Sequence, residues 1–129
     1  MKNLKKIVLV SAICLVAPLS NLFAGFEVDS VTGENNNTVG SGGAITAPEG
    51  ATVFWEVHAS KGYFYYGDSF ACIQASGALS LYASAASLND EDGSYGYEQF
   101  PEGGGTVGYS LYAYGYDGGS AFAEIACWW

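Results

Sequence analysis

Alternation of apolar and polar side chains is the feature of this sequence that most limits what it can fold into. The clearest example is the segment Thr52–Ser60, in which Val53, Trp55 and Val57 alternate with polar or aromatic neighbours. A repeat of two residues places successive side chains on opposite faces of a β-strand. Helical periodicity is scarce after residue 25, so the sequence predicts an all-β fold.

Turn-forming residues recur about every ten residues and separate the alternating segments. They predict strands at residues 26–31, 44–46, 52–60, 63–66, 69–76, 78–88, 95–100, 106–116 and 120–129. Hairpin loops are predicted at residues 89–93 and 117–119, where Asn, Asp and Gly cluster. No long linker interrupts residues 25–129. We therefore expect one small β-sandwich or compact β-barrel of about seven or eight antiparallel strands.

The inward positions of these strands predict a lean hydrophobic core. The expected inward residues are Val53, Trp55, Val57, Leu79, Leu81, Val107, Tyr109, Leu111, Ile125 and Trp129. Small residues, mainly Ala and Gly, occupy many of the positions between them. Each small side chain buries little area, so the core should be only modestly stabilising.

The first 24 residues have the three-part order of a secretory signal peptide. Lys2, Lys5 and Lys6 precede an apolar run of 13 residues, 7–19, and a short polar stretch ends at Ala24. The run is shorter than the roughly 20 residues that span a bilayer as a helix. We expect cleavage after Ala24 and a secreted or periplasmic protein; a retained N-terminal anchor is the alternative.

Removal of residues 1–24 would leave a strongly acidic chain. Lys61 would then be its only Lys or Arg, against 13 Asp and Glu. One cation cannot neutralise a row of phosphates, which argues against nucleic-acid binding. Adsorption to an anionic membrane is disfavoured for the same reason. The charge would favour encounter with cationic partners; simple solubility, or adaptation to a salty or calcium-rich medium, is the alternative interpretation.

Two cysteines, Cys72 and Cys127, would remain after cleavage. In a small exported chain such a pair predicts one disulfide, which would contribute about 4 kcal/mol in the chain-entropy model. Two free buried thiols are the alternative. A zinc site is disfavoured because His58 is the only histidine and no Cys-x-x-Cys pair occurs.

No residue pattern predicts catalysis. Glu56 and His58 lie two residues apart and would share a strand face, but general acid–base chemistry also needs a third group and a pocket. A solvated strand face is the simpler interpretation of this pair. The sequence therefore predicts a protein that is not an enzyme.

The acidic segment 89–94 is the best candidate for a metal ion. Asp90 and Asp92 could ligate calcium, although the segment does not fit the register of an EF-hand loop. A solvated turn is the alternative. We expect no resident cofactor, with calcium at Asp90 and Asp92 as the alternative.

Aromatic residues, 16% of the chain, are concentrated in two segments. Tyr63 and Tyr65 lie in an aromatic run, and Tyr112, Tyr114 and Tyr116 would share one face of a strand. Such a row is suited to contact with a protein or stacking on sugar rings. These five tyrosines form the predicted binding surface; a second buried face is the alternative.

These observations favour an exported, acidic, non-enzymatic binding protein. Its expected role is to bind or inhibit a cationic protein, for example a basic enzyme such as a lysozyme, through the tyrosine-rich surface. The alternating segment 121–129 leaves a small outer-membrane β-barrel as an alternative function. A cell-surface structural protein and a carbohydrate-binding module are the others.

Overall fold

The computed structural model describes residues 24–62, 68–87 and 91–129, which form eight β-strands. They are β1 (Phe26–Glu34), β2 (Thr38–Ala47), β3 (Thr52–Ser60), β4 (Phe70–Gly77), β5 (Leu81–Ala86), β6 (Glu91–Gln99), β7 (Gly105–Tyr114) and β8 (Ser120–Trp128). The all-β prediction is confirmed. Within the described ranges there is no helix that could cross a membrane. The predicted strand 63–66 lies outside the described residues.

The strands form two antiparallel sheets of four. The first sheet has the order β1-β8-β3-β6, and the second has the order β2-β7-β4-β5. Inward side chains of the two sheets together make the core. Of the two predicted architectures, the sandwich is therefore correct. The strand order is that of an eight-stranded jelly roll.

Most connections between consecutive strands pass from one sheet to the other. Only β4 and β5 are consecutive neighbours within a sheet. The predicted hairpin loops at 89–93 and 117–119 are therefore wrong: both lie between strands of different sheets, and Glu91 already begins β6. The turn chemistry itself is present, because Asp117 and Gly118 have φ angles of 46° and 85°. Such residues reverse the chain without specifying which sheet it enters next.

Strand β2 is longer than the predicted strand at 44–46. Gly40, Gly42 and Gly43 interrupt its side-chain alternation, so the sequence pattern is weak there. The backbone nevertheless pairs with β7 from Thr38 to Ala47. Pairing with a well-defined neighbour thus determines this strand.

The predicted core is confirmed. Val53, Val57, Val107, Leu111 and Ile125 are buried, and Trp55, Leu79, Leu81, Tyr109 and Trp129 are partly buried against them. Much of the remaining core is alanine: Ala47, Ala51, Ala59, Ala71, Ala75, Ala83, Ala85, Ala113, Ala121 and Ala123. These small residues leave little of the apolar area that stabilises larger domains.

Close backbone contacts lie at one end of the sandwich, around Gly115. Its carbonyl accepts a hydrogen bond from the Asn36 N–H (2.7 Å), and the Asp117 N–H donates to Asn36 Oδ1 (2.9 Å). A Cβ atom at position 115 would overlap the carbonyl oxygen of Gly33 and lie 2.7 Å from that of Gly119. Glycine is required here by space alone, because Gly115 is not among the residues of positive φ.

Candidate functional site

The two cysteines predicted to form a disulfide are free thiols in the structure. Cys127 alternates with outward residues of β8 and is buried in the core, in phase with Ile125. Cys72 lies between the buried residues Ala71 and Ile73 of β4, so its side chain is on the outward side of the second sheet. The disulfide prediction is wrong because the second sheet itself separates the two sulfur atoms.

The burial of each thiol raises its pKa. The pKa of Cys127 rises to about 11, chiefly through burial and secondarily through the negative charge of Glu27. Burial also raises the pKa of Cys72. Both sulfurs therefore stay protonated and poorly nucleophilic near neutral pH.

Thiol labelling should distinguish the two cysteines. We expect an alkylating reagent to modify the partly exposed Cys72 in the folded protein, and Cys127 only after unfolding, because Cys127 is buried. Peptide mapping by mass spectrometry measures both sites. A reducing agent should leave the thermal midpoint of unfolding unchanged. A lower midpoint, or a cross-linked peptide that joins residues 72 and 127, would show that the disulfide forms after all.

The predicted tyrosine surface is partly assembled. Tyr112 and Tyr114 are on the outward side of β7, and the Tyr116 ring follows the strand with its centroid 6.2 Å from that of Tyr114. The Phe70 ring lies 6.1 Å from the Tyr112 ring. Tyr63 and Tyr65 lie outside the described residues, so their part in the surface stays a prediction.

The sequence interpretation missed a tyrosine on the same side, Tyr82 of β5, which is 68% exposed. The sequence alone does not show that Tyr82 lies on this surface, because that depends on the order of the strands in the sheet. We call the outward side of the second sheet the tyrosine face; its contact residues are Tyr82, Tyr112, Tyr114, Gln74, Ser84 and Ser110.

The calcium candidate is not assembled by the described residues. Asp92 lies in β6, and its carboxylate accepts a hydrogen bond from the Ala86 N–H (3.1 Å). Across the described ranges, no group of three or more His, Cys, Asp or Glu could hold a metal ion. Asp90 lies outside those ranges, so calcium binding there stays a prediction.

A second candidate surface is the outward side of the first sheet, where Glu56 of β3 lies directly opposite Glu124 of β8. Directly opposed side chains in an antiparallel pair have Cβ atoms about 5 Å apart. Glu124 is only 2% exposed, and Glu56 is partly exposed. Two carboxyl groups are thus held together on the two central strands of the sheet.

This environment favours the protonated form of both groups. Burial raises the pKa of Glu56 to about 7. Burial, and secondarily the charge of Glu56, raise the pKa of Glu124 to about 7. Near neutral pH the pair therefore holds protons that ordinary glutamates would have released.

Aromatic rings lie on the same face of the sheet as the carboxyl pair. The Tyr97 ring lies 5.2 Å from the Phe54 ring and 6.5 Å from the Trp128 ring. Tyr95, opposite Glu56 in the register of β3 and β6, is 68% exposed, and Tyr97 is 61% exposed. We call this outward side of the first sheet, with Glu56, Glu124 and these aromatic residues, the glutamate face.

Acidic residues are divided unequally between the two sheets. Eight of the 13 in the chain lie in strands of the first sheet: Glu27, Asp29, Glu34, Glu56, Glu91, Asp92, Glu98 and Glu124. The four strands of the second sheet contain no Asp, Glu, Lys or Arg. Four of these eight, Glu34, Glu56, Glu91 and Glu124, have the outward phase of the glutamate face, and the other four have the inward phase. The predicted tyrosine surface, in contrast, is uncharged along its strands.

Comparison with known proteins does not assign a family. No protein-family model and no curated protein matches the sequence. Solved structures with some likeness include TmCBM61 in complex with β-1,4-galactotriose, at 12% identity, 81% coverage of this chain and 88% of that chain, and a TM-score of 0.39. Another is a family 16 carbohydrate-binding module, at 12% identity, coverages of 73% and 70%, and a TM-score of 0.37.

A further structure of this kind is the Aeromonas hydrophila PliG, a periplasmic inhibitor of g-type lysozyme. It is 13% identical, with coverages of 83% and 87% and a TM-score of 0.34. The neighbours thus include glycan-binding modules and a protein inhibitor. TM-scores and identities this low do not relate the chain to any of them.

Proposed function

We propose that this chain is an exported, non-enzymatic binding protein that holds a cationic segment of a protein partner against its glutamate face. The observation that carries the proposal is the Glu56–Glu124 pair, opposed across β3 and β8 among aromatic rings. Opposed like charges are unfavourable. The pair therefore retains a proton, and an incoming Lys or Arg side chain favours the ionised form and displaces that proton.

The aromatic residues suit the same partner. The exposed rings of Tyr95 and Tyr97 can accept a cation over their faces. They also supply rigid contact area at low cost in conformational entropy. A carboxyl pair and tyrosine rings on one surface therefore fit a basic protein segment better than a neutral ligand.

Export belongs to the same proposal. The basic, apolar and small-residue order of positions 1–24 supports secretion or periplasmic delivery. The surplus of acidic residues supports encounter with basic proteins in that compartment, since long-range attraction accelerates association.

Isothermal titration calorimetry with a basic protein tests this function, using lysozyme as the probe. We expect binding that weakens as the ionic strength rises towards ~0.15 M. Tyr97→Ala should weaken it about tenfold, which corresponds to ~1.4 kcal/mol. Glu56→Gln should weaken it as well and reduce its dependence on salt. Tyr112→Ala, on the opposite face, is the matched control and should bind normally.

Two results would count against the proposal. One is the absence of salt-sensitive binding to any of several basic proteins. The other is loss of binding in Tyr112→Ala but not in Tyr97→Ala, which would show that the partner binds the tyrosine surface predicted from sequence. Turnover of the probe during the titration would contradict the non-enzymatic part.

A further inference from the structure

The tyrosine face is chemically unlike the rest of this acidic protein. All four of its strands lack charged residues, whereas eight acidic residues lie in the strands of the first sheet. Its outward positions are mainly tyrosine, serine, threonine, glutamine and glycine. A surface without charge gains nothing electrostatically from a cationic or an anionic partner, so its ligand should be neutral.

Two exposed tyrosines are set apart on this face with polar side chains between them. Tyr82 is 68% exposed and Tyr112 is 38% exposed. In the register of β5, β4 and β7, Gln74 lies opposite both Tyr82 and Ser110. Ser84 lies opposite Cys72, which in turn lies opposite Tyr112. The area between the two rings therefore contains one amide, two hydroxyl groups and the Cys72 thiol.

The Tyr112 ring has a packed neighbour on this face. The Phe70 ring lies 6.1 Å from it at an interplanar angle of 56°, the tilted arrangement that aromatic pairs prefer. A ring fixed by such a contact loses little conformational entropy when a ligand stacks on it. Tyr112 is thus a preorganised contact.

The side chains on this face match a polyhydroxylated ligand better than an apolar protein surface. Tyr82 and Tyr112 are its only exposed large hydrophobic residues within the described ranges, and each carries a hydroxyl group. Specific protein interfaces usually have a more apolar centre than this. Sugar rings have an apolar face that stacks on tyrosine and hydroxyl groups that bond to Gln and Ser.

We propose that the tyrosine face binds a neutral glycan chain, which stacks on Tyr82 and Tyr112 and bonds to Gln74, Ser84 and Ser110 between them. This site is on the opposite side of the sandwich from the glutamate face. It is therefore independent of the function proposed above, and both ligands can bind at once.

Native affinity electrophoresis of the protein produced from the full chain and purified after export tests the proposal. The gels contain dextran, galactan, galactomannan or mixed-linkage β-glucan, all of them neutral. We expect retardation by at least one polymer. Tyr82→Ala and Tyr112→Ala should each weaken it about tenfold, the loss expected for one well-placed contact residue. Gln74→Ala should weaken it less.

Three controls make the result specific. Tyr95→Ala, an exposed tyrosine on the glutamate face, should be retarded like the wild-type protein. Added salt should not change the retardation, because the ligand is uncharged, whereas it should weaken lysozyme binding. Thermal unfolding of each variant verifies that its fold is retained.

The proposal is overturned if none of the four polymers retards the protein. It is also overturned if Tyr95→Ala abolishes retardation while Tyr82→Ala and Tyr112→Ala do not. Light scattering supplies a third test: if Tyr82→Ala and Tyr112→Ala abolish a dimer without affecting retardation, the face binds a second copy of the chain instead. None of these results depends on whether lysozyme binds.

Discussion

Replacing Glu124 with glutamine is expected to stabilise the protein at about pH 8 and to remove most of the stabilisation that the wild-type protein gains on acidification. In the folded state the pKa of Glu124 and that of Glu56 are raised from 4.5 to about 7. The folded protein therefore holds these protons more tightly than the unfolded chain does. The contribution of the pair to the free energy of unfolding is therefore fully present below about pH 4.5 and is lost as the pH rises through 7.

The expected size of the effect is about 3 kcal/mol between about pH 8 and pH 5 in the wild-type protein, at 1.36 kcal/mol per pKa unit. This corresponds to one fully shifted carboxyl group, because Glu56 is partly exposed and water screens its contribution. Glutamine has nearly the shape of a protonated glutamate and carries no charge. Glu124→Gln should therefore have a much flatter profile of stability against pH.

Urea unfolding at several pH values measures this difference. The variant retains His58, so any contribution of the imidazole is common to both proteins. Glu34→Gln, which removes a carboxyl group from the exposed end of β1, is the control and should retain the wild-type profile. Equal slopes for Glu124→Gln and the wild-type protein would show that the pair is not protonated as the structure implies.

Gly115→Ala should cost about 3 kcal/mol or more, at the upper end of what overpacking costs. The added methyl group would overlap the carbonyl oxygen of Gly33 and lie 2.6 Å from the Cα atom of Glu34. Backbone atoms of a paired strand cannot rotate away as a side chain can. The sheets would have to separate at this end, which would also weaken the hydrogen bond from Asn36 to the Gly115 carbonyl.

Gly108→Ala is the matched control for this prediction. It lies in β7 on the tyrosine face, where the nearest atom to an added Cβ, the carbonyl oxygen of Ser76, is 3.9 Å away. We expect its stability to stay within about 0.5 kcal/mol of wild type. Denaturant unfolding compares the two. If Gly115→Ala is no more destabilised than Gly108→Ala, the close approach of the backbone at this end does not limit the fold.

Local pattern was sufficient to predict the strands with strong alternation. Thr52–Ser60 has the predicted bounds, and its inward residues Val53 and Val57 are in the core. The sheet order was not predictable in the same way. Asp117 and Gly118 form a tight turn whether the next strand pairs with its predecessor or crosses to the other sheet, so the turn alone could not identify a crossing connection.

The cysteine error was avoidable from the alternation itself. Ile73 is apolar and belongs inside, which places the adjacent Cys72 outside. Cys127 has the same phase as Ile125 and therefore points inward. The number of cysteines predicted a disulfide, but their positions along the strands disfavour one.

The carboxyl pair could not have been predicted from the sequence. Glu56 was recognised as part of an outward strand face, but its opposition to Glu124 depends on the register between β3 and β8. Those strands are far apart in the chain, and no local signal specifies their alignment. The tyrosine face could be predicted only in part. Tyr112 and Tyr114 were grouped correctly from one strand, whereas Tyr82 lies beside them only because β4 pairs with both β5 and β7.

The pairing of β8 between β1 and β3 has a consequence for the order of folding. β1 has no other neighbour in its sheet, so it stays unpaired until residues 120–128 have been synthesised. Contacts between such distant segments form slowly, because a long loop must close first. A nascent chain therefore lacks a complete first sheet until its last strand has been made.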